Sequence, residues 1–142
     1  MKIIRKGSAK WSGGLKDGKG LISTESGALT DYPYGFSSRF EGQKGSNPEE
    51  LIGAAHAACF TMALSLALNE AGFTADSLET SAKISLEKLD TGFTVTASAL
   101  TLNAKVPGID DATFQKVAAG AKANCPISKL LKADISLEAT LS

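Results

Sequence analysis

Two cysteines carry whatever thiol chemistry this chain performs. Cys59 lies in His56-Ala57-Ala58-Cys59-Phe60, inside a run of nineteen residues without a formal charge between Glu50 and Glu70 (LIGAAHAACFTMALSLALN). A cysteine there is either a small apolar packing residue or a reactive thiol. Cys125 is followed by Pro126 and takes a possible cap position ahead of a short helical turn. Free N–H groups at such a start favour a thiolate, and the other reading is an ordinary loop cysteine. The two stand 66 positions apart, which fits neither a CxxC redox pair nor a zinc pattern. That separation neither requires nor forbids their meeting in space.

Three further side chains bear on those thiols. The chain uses thirteen lysines but only two arginines, Arg5 and Arg39. A sequence that relies on Lys for solubility can keep Arg where a planar, permanently charged fork is needed, beside a thiolate or an oxyanion. The alternative is a solvated edge residue. Glu49 fits the first turn of a helix, where the dipole favours anions. It precedes Cys59 by ten residues, ~15 Å along a helix axis, so it cannot reach that sulfur from its own helical position. His56 is three residues before Cys59 and shares its helical face. A Cys–His pair is the mark of a thiol hydrolase, but no oxyanion hole is evident, and a buried, hydrogen-bonded histidine is the favoured reading.

The elements that must position these residues follow from periodicity and caps. Asn47 as cap, Pro48 at the first helical position and Glu49 and Glu50 in the first turn start a helix, and Gly72 stops it. Glu50 has the spacing of a capping box with Asn47. The predicted helix runs from about Pro48 to Ala71, ~36 Å long. Because it is apolar on nearly every side, it is expected to be buried on most sides inside protein rather than to span a membrane: alanines, a glycine and a histidine replace the residues a bilayer rewards. Before it, a meander is expected over Lys2–Trp11 and Leu21–Glu25, with short extended pieces at Tyr34–Phe36 and Arg39–Phe40. After it, alternation places Leu78, Ala82, Ile84 and Leu86 on one strand face, and Phe93, Val95, Ala97 and Ala99 on that of the next strand, joined by Asp90-Thr91-Gly92. A helix capped at Asp110 or Asp111 carries Phe114, Val117, Ala118 and Ala121. Cys125-Pro126 ends it, a turn follows over Ile127–Leu131, and a last strand alternates Ile135, Leu137, Ala139 and Leu141. The predicted class is α+β, an antiparallel sheet laid against helices, in a single domain over 1–142.

Composition narrows the partners. Fifteen basic and fifteen acidic residues give a formal net charge of +0. This argues against nucleic acid and membrane surfaces, which both need a positive field. The opening MKIIRKGSAKW lacks the apolar core and cleavage site of a secretory leader, so the expected compartment is the cytoplasm. There two cysteines are more often reactive than structural. No metal-ligand spacing or glycine-rich phosphate loop argues for a cofactor.

The stretch Tyr34–Phe60 (YGFSSRFEGQKGSNPEELIGAAHAACF) resembles the signature region of the OsmC/Ohr family of thiol-dependent organic hydroperoxide peroxidases. The resemblance continues through STESG (Ser23–Gly27), TMALSLAL, VPGID (Val106–Asp110) and NCP (Asn124–Pro126), and so covers essentially the whole chain. It implies an OsmC-like fold, with sheets around a long central helix in an intertwined homodimer, and a role in defence against oxidative and osmotic stress. It implies that Cys59 is the peroxidatic cysteine, becoming a sulfenic acid, and that Cys125 is the resolving cysteine, condensing with it into a disulfide. Arg39 matches the arginine that stabilises the thiolate and polarises the peroxide, and Glu49 the glutamate that orients it. Phe40, Phe60 and Met62 are expected to line an apolar site that prefers alkyl hydroperoxides to hydrogen peroxide. No cofactor is implied. The implied reductant is a dithiol such as a lipoyl-bearing protein. Two other functions stay open on the residues alone: a Cys59–His56 thiol hydrolase, and a non-enzymatic small-molecule binding dimer.

Overall fold

The computed structural model describes residues 1–142, which divide into two compact units, Met1–Leu51 and Ile52–Ser142. The first unit is built on strands β1 (Gly7–Ser12), β2 (Lys19–Thr24) and β3 (Tyr32–Tyr34), antiparallel in the order β1-β2-β3. Gly20 pairs with both Trp11 and Tyr34, whose rings lie 5.6 Å apart over it. A Cβ at that position would run into both rings, so only glycine lets them close over the sheet.

Helix α1 (Phe36–Phe40) follows, where the sequence pointed to extended backbone at Arg39–Phe40. Local side-chain bonding decides the difference. Ser38 Oγ accepts the Gly35 N–H at 2.9 Å and donates to the Ser46 carbonyl at 2.9 Å, while the Arg39 N–H donates to the Gly35 carbonyl at 3.1 Å. One serine thus closes a helical turn that no apolar periodicity announces.

Helix α2 (Pro48–Glu70) begins as its caps predict: Asn47 Oδ1 accepts the Glu50 N–H at 2.8 Å. The reciprocal half of a capping box is absent, because Ser46 Oγ takes the Glu50 carboxylate at 2.9 Å. At the other end Gly72 has φ +90° and the Phe73 N–H donates to the Leu68 carbonyl at 2.8 Å, a Schellman closure. The helix is long and apolar enough to cross a membrane by length and composition. In the fold it buries one stripe, Gly53, His56, Phe60, Leu64 and Leu68. The expectation of burial on most sides therefore does not hold within one chain: Met62 is 77% and Leu66 60% exposed. A stripe spaced four residues apart is all that one sheet face can cover.

That sheet belongs to the second unit and has the order β4-β5-β6, with β4 Ser77–Leu89, β5 Gly92–Lys105 and β6 Asp134–Leu141. β4 and β5 form the expected hairpin, with Gly92 at φ +113° closing its turn. The register shifts once, so that Ser85 faces Ala97 while Leu86 faces Val95. The extra residue, Thr96, reverses the parity of β5. Val95 takes the inward face before it, and Phe93 on the same side is exposed; Ser98, Leu100, Leu102 and Ala104 take that face after it, in place of the expected Ala97 and Ala99. β6 runs parallel to β5, so the sheet is mixed rather than wholly antiparallel. Its connection runs through α3 (Asp111–Asn124) and α4 (Pro126–Leu130), the kind of crossover that parallel neighbours need.

Phe60, Leu64 and Leu68 of α2 join Leu100 and Leu102 of β5 and Phe114 of α3 in one fully buried core. Each such side chain contributes about 1.5–3 kcal/mol by burial. Gly53 permits the close approach of α2: a Cβ there would lie 3.1 Å from the Ala82 carbonyl oxygen.

Candidate active site

The core positions Cys59. Phe60, its neighbour on α2, is locked in the interior, which turns Cys59 toward a groove between α2 and α3 of about 900 Å³. Met62, Ala63, Leu66, Val117 and Pro126 give this groove a largely apolar wall, with Glu70 and Lys116 along it. Of the three expected lining residues, Met62 stands in this groove beside Cys59. Phe60 is fully buried in the core and lines no groove, because the stripe that fixes α2 claims it. Phe40 belongs to a smaller cleft in the first unit, described below.

Cys125 is fully buried at the junction of α3 and α4, where Pro126 supplies the first residue of α4. Both cysteines are free thiols, and Cys59 packs against the core that contains Cys125, near enough for each thiol to shift the other's ionisation. The partnership that spacing left open is therefore present in the fold. The two thiols differ in charge preference. Burial pushes the Cys59 thiol up, the neighbouring Cys125 thiol pushes it further, and only the Ile127 N–H acts the other way. Burial also opposes ionisation of Cys125, but the neighbouring Cys59 thiol and the groups of α4 outweigh it and hold its pKa below the usual thiol range. Those groups are the Ser128 N–H and hydroxyl and the Ile127 N–H. The sulfur closes no formal N-cap bond, so the amides act as oriented dipoles at a helix start. The direction is that of the thiolate reading, one of the two that the sequence leaves open for Cys125. Within its unit, Cys59 alone is not activated.

His56, one turn before Cys59 on the buried stripe, does not pair with that thiol. Its Nδ1 lies 2.6 Å from Ser98 Oγ on β5 and its Nε2 lies 2.8 Å from Ser128 Oγ on α4. The buried, hydrogen-bonded histidine favoured from the sequence is what the fold contains, and burial lowers its pKa. Sequence reasoning missed Ser98 and Ser128. The only sign of Ser98 was a polar residue at an inward position, visible once the Thr96 bulge is known.

The first unit holds the ion pair. Arg39 Nη2 lies 2.6 Å from Glu49 Oε1, and Nε is 3.2 Å from both carboxylate oxygens, so the guanidinium edge is fixed by a fork. The Glu49 side chain is only 13% exposed, whereas that of Arg39 is 36% exposed and free to meet a ligand. The Arg39 guanidinium also sits 5.3 Å over the Phe40 ring, in a cleft of about 220 Å³ shared with Trp11, Tyr34 and Phe36. The fold brings Arg39 to Glu49, the pairing that the family resemblance implied. No group of three or more His, Cys, Asp or Glu side chains is arranged to hold a metal ion.

Residues 41–140 match the protein family described as OsmC-like protein. Over 138 residues, 97% of this chain and 96% of the relative, the sequence is 59% identical to peroxiredoxin OsmC of Escherichia coli strain K12. The crystal structure of the organic hydroperoxide resistance protein OhrB of Bacillus subtilis has a TM-score of 0.68 at 27% identity, covering 96% of this chain and 98% of that one. An OsmC-like protein from Mycoplasma pneumoniae has a TM-score of 0.76 at 16% identity, covering 99% of both chains, a likeness of fold alone.

Proposed function

This chain belongs to the OsmC-like protein family and is a peroxidase, and from that premise we propose that it reduces organic hydroperoxides to alcohols through its own two thiols. The observation that carries the proposal is that the free thiol of Cys59 packs against the core that contains the free thiol of Cys125, the first open to an apolar groove and the second fully buried. In the proposed cycle the Cys59 proton passes to Cys125, and the Cys59 thiolate attacks the distal oxygen of the hydroperoxide. The O–O bond breaks, the alkoxide takes back the proton held by Cys125 and leaves as alcohol, and Cys59 becomes a sulfenic acid. Cys125 then attacks the Cys59 sulfur as a thiolate. The S–S bond forms, and hydroxide leaves and is protonated to water. A dithiol reductant, of which a lipoyl-bearing protein is one form, returns the pair to thiols.

In this proposal Arg39, oriented by Glu49, polarises the peroxide and favours the Cys59 thiolate, which its own unit leaves unfavoured. The working form is a homodimer in the cytoplasm. The exposed apolar face of α2 at Met62 and Leu66 supports the dimer, since a helix apolar all round needs a second cover. Substrate preference falls on alkyl hydroperoxides, through Met62 in the Cys59 groove and Phe40 beside Arg39.

Treatment of the reduced protein with cumene hydroperoxide, followed by thiol counting and mass spectrometry, tests the cycle. A Cys59–Cys125 disulfide in the wild type and over-oxidised Cys59 in Cys125→Ser are expected. Inert thiols would sink the cycle and leave a binding dimer. Ester hydrolysis kept by Cys125→Ser and lost in His56→Ala would instead favour the hydrolase. The placement of both His56 nitrogens on serines speaks against that outcome.

A further inference from the structure

The proposed cycle uses both thiols and the Arg39–Glu49 pair but gives no part to the buried polar cluster beside them. His56 is the only histidine in the chain, and it is fully buried. Each ring nitrogen has one serine hydroxyl as partner, Ser98 of β5 at 2.6 Å and Ser128 of α4 at 2.8 Å. Ser98 faces inward only because the Thr96 bulge reverses the parity of β5. In the unbulged register Ala97 and Ala99 would stand there, and Nδ1 would have no partner. Ser128 is the only buried residue of α4, with Ile127 beside it partly covered by the core. This short helix thus meets the interior chiefly through a hydroxyl.

Placement along the two helices gives the bridge its consequence. His56 stands one turn before Cys59 on α2, and Ser128 one turn after Cys125 at the start of α4. The Cys125 backbone is fixed on both sides: its N–H donates to the Ala121 carbonyl at 2.9 Å, and its carbonyl accepts the Lys129 N–H at 3.1 Å. Whatever holds Ser128 therefore holds Cys125. Cys59 in turn lines one groove together with Ala121, Asn124 and Pro126, the residues around Cys125. We propose that the Ser98–His56–Ser128 bridge seats α4 against α2 and β5 and so keeps the Cys125 sulfur within reach of Cys59. The three are then positioning residues for closure of the Cys59–Cys125 disulfide.

A hydrogen-bonded bridge fixes a helix more sharply than apolar packing. Apolar contacts let a helix slide with little loss, whereas a buried hydroxyl or imidazole drawn away from its partner is left desolvated and unpaired. In this fold no buried side-chain nitrogen or oxygen is left in that state. The ring is gripped from β5 on one side and α4 on the other, so it cannot turn to follow a shift of α4 without giving up Ser98. The bridge needs no charge: a neutral imidazole donates from one nitrogen and accepts at the other, and either hydroxyl can take either part. For catalysis the consequence rests on the peroxidase reading. Closure there is attack of the Cys125 thiolate on the Cys59 sulfur, with S–S formed, S–O broken and hydroxide leaving, and it competes with further oxidation of the sulfenic acid. A seated Cys125 tips that competition toward the disulfide.

The test needs no peroxide, so its failure is separate from failure of the peroxidase reading. Reduced full-length protein is mixed with dithiobis(nitrobenzoate), and release of the coloured aromatic thiolate is followed by stopped flow. In the first phase Cys59 attacks the reagent, forms a mixed disulfide and releases one thiolate. In the second, Cys125 attacks the Cys59 sulfur, closes the protein disulfide and releases another; Cys125→Ser should lack this phase. Ser128→Ala should slow the second phase about tenfold and leave the first unchanged. Ser128→Thr, which keeps the hydroxyl, should restore it. Equal second phases in wild type and a folded Ser128→Ala protein would overturn the proposal. So would a slowing of both phases together, the mark of general loosening. Should Ser128→Ala not fold, Ser98→Ala carries the same test from β5: a second phase about threefold slower is expected, and an unmoved one overturns the bridge. Wild-type protein that closes its disulfide with the reagent but leaves cumene hydroperoxide intact would sink the peroxidase reading alone.

Discussion

Cys59 and Cys125 pack against one core, yet they sit in opposite electrostatic surroundings. Cys59 interrupts the middle of a 23-residue helix, where every neighbouring amide is already spent on the i→i−4 ladder. Only one N–H from another element, that of Ile127, favours its charge. Cys125 caps a helix of five residues, where the first N–H groups have no helical partner and turn toward the sulfur. Position along a helix, more than burial, separates the two. The more exposed thiol is the one proposed to meet substrate, and the more buried one is the one that holds charge more easily. A peroxidatic cysteine so placed depends on help from outside its own helix, which is the part proposed for Arg39.

The contrast can be broken at several points. The largest expected effect is loss of peroxidase turnover in Cys59→Ser, by about 10⁴-fold or more, since it removes the nucleophile itself; steady-state consumption of cumene hydroperoxide measures it. Cys125→Ser should complete one turnover and then stall with Cys59 over-oxidised, visible as mass additions of two and three oxygens. Arg39→Ala should lower kcat/KM by about 10²-fold, the range for a lost charge-stabilising donor, and Arg39→Lys should recover only part because a lysine offers no fork. Equal rates in Arg39→Ala and wild type would leave Cys59 activated by something other than this guanidinium.

A smaller effect concerns stability. His56 has its folded pKa lowered from 6.5, so the unfolded chain binds the proton first. The stabilisation is complete above pH 6.5 and is lost as pH falls through the lowered folded value. Urea titrations of the reduced protein should show a decline below pH 6.5 that His56→Gln abolishes. Least of all, Asn47→Ala should cost about 1 kcal/mol by removing the cap of α2, without altering either thiol titration.

How much of this was readable from the sequence depends on the distance over which each feature is decided. The caps of α2, the β4–β5 turn and the helix before Cys125 rest on neighbouring residues, and all three stand where Asn47, Gly72, Gly92, Asp110 and Pro126 place them. Arg39 and Glu49 were found by scarcity and by resemblance. The inward parity of β5 was not legible past Thr96, because a single bulged residue leaves no mark on composition. Nor was the parallel pairing of β6, which follows from a crossover rather than from alternation. Ser98 and Ser128 lie 42 and 72 positions from His56, and serine is too common for its presence to signal a partner at that range.

The 66 positions between Cys59 and Cys125 carry a thermodynamic consequence of their own. A disulfide across that interval ties the central helix to the crossover and removes from the unfolded chain the freedom of a loop of that length. In the chain-entropy account this stabilises the oxidised fold by about 4 kcal/mol. In the proposed cycle, each turnover would then alternate the protein between a looser form that meets peroxide and a stapled form that awaits reductant. Melting temperature becomes a readout of catalytic state: a population caught without reductant should melt later than the same protein kept reduced.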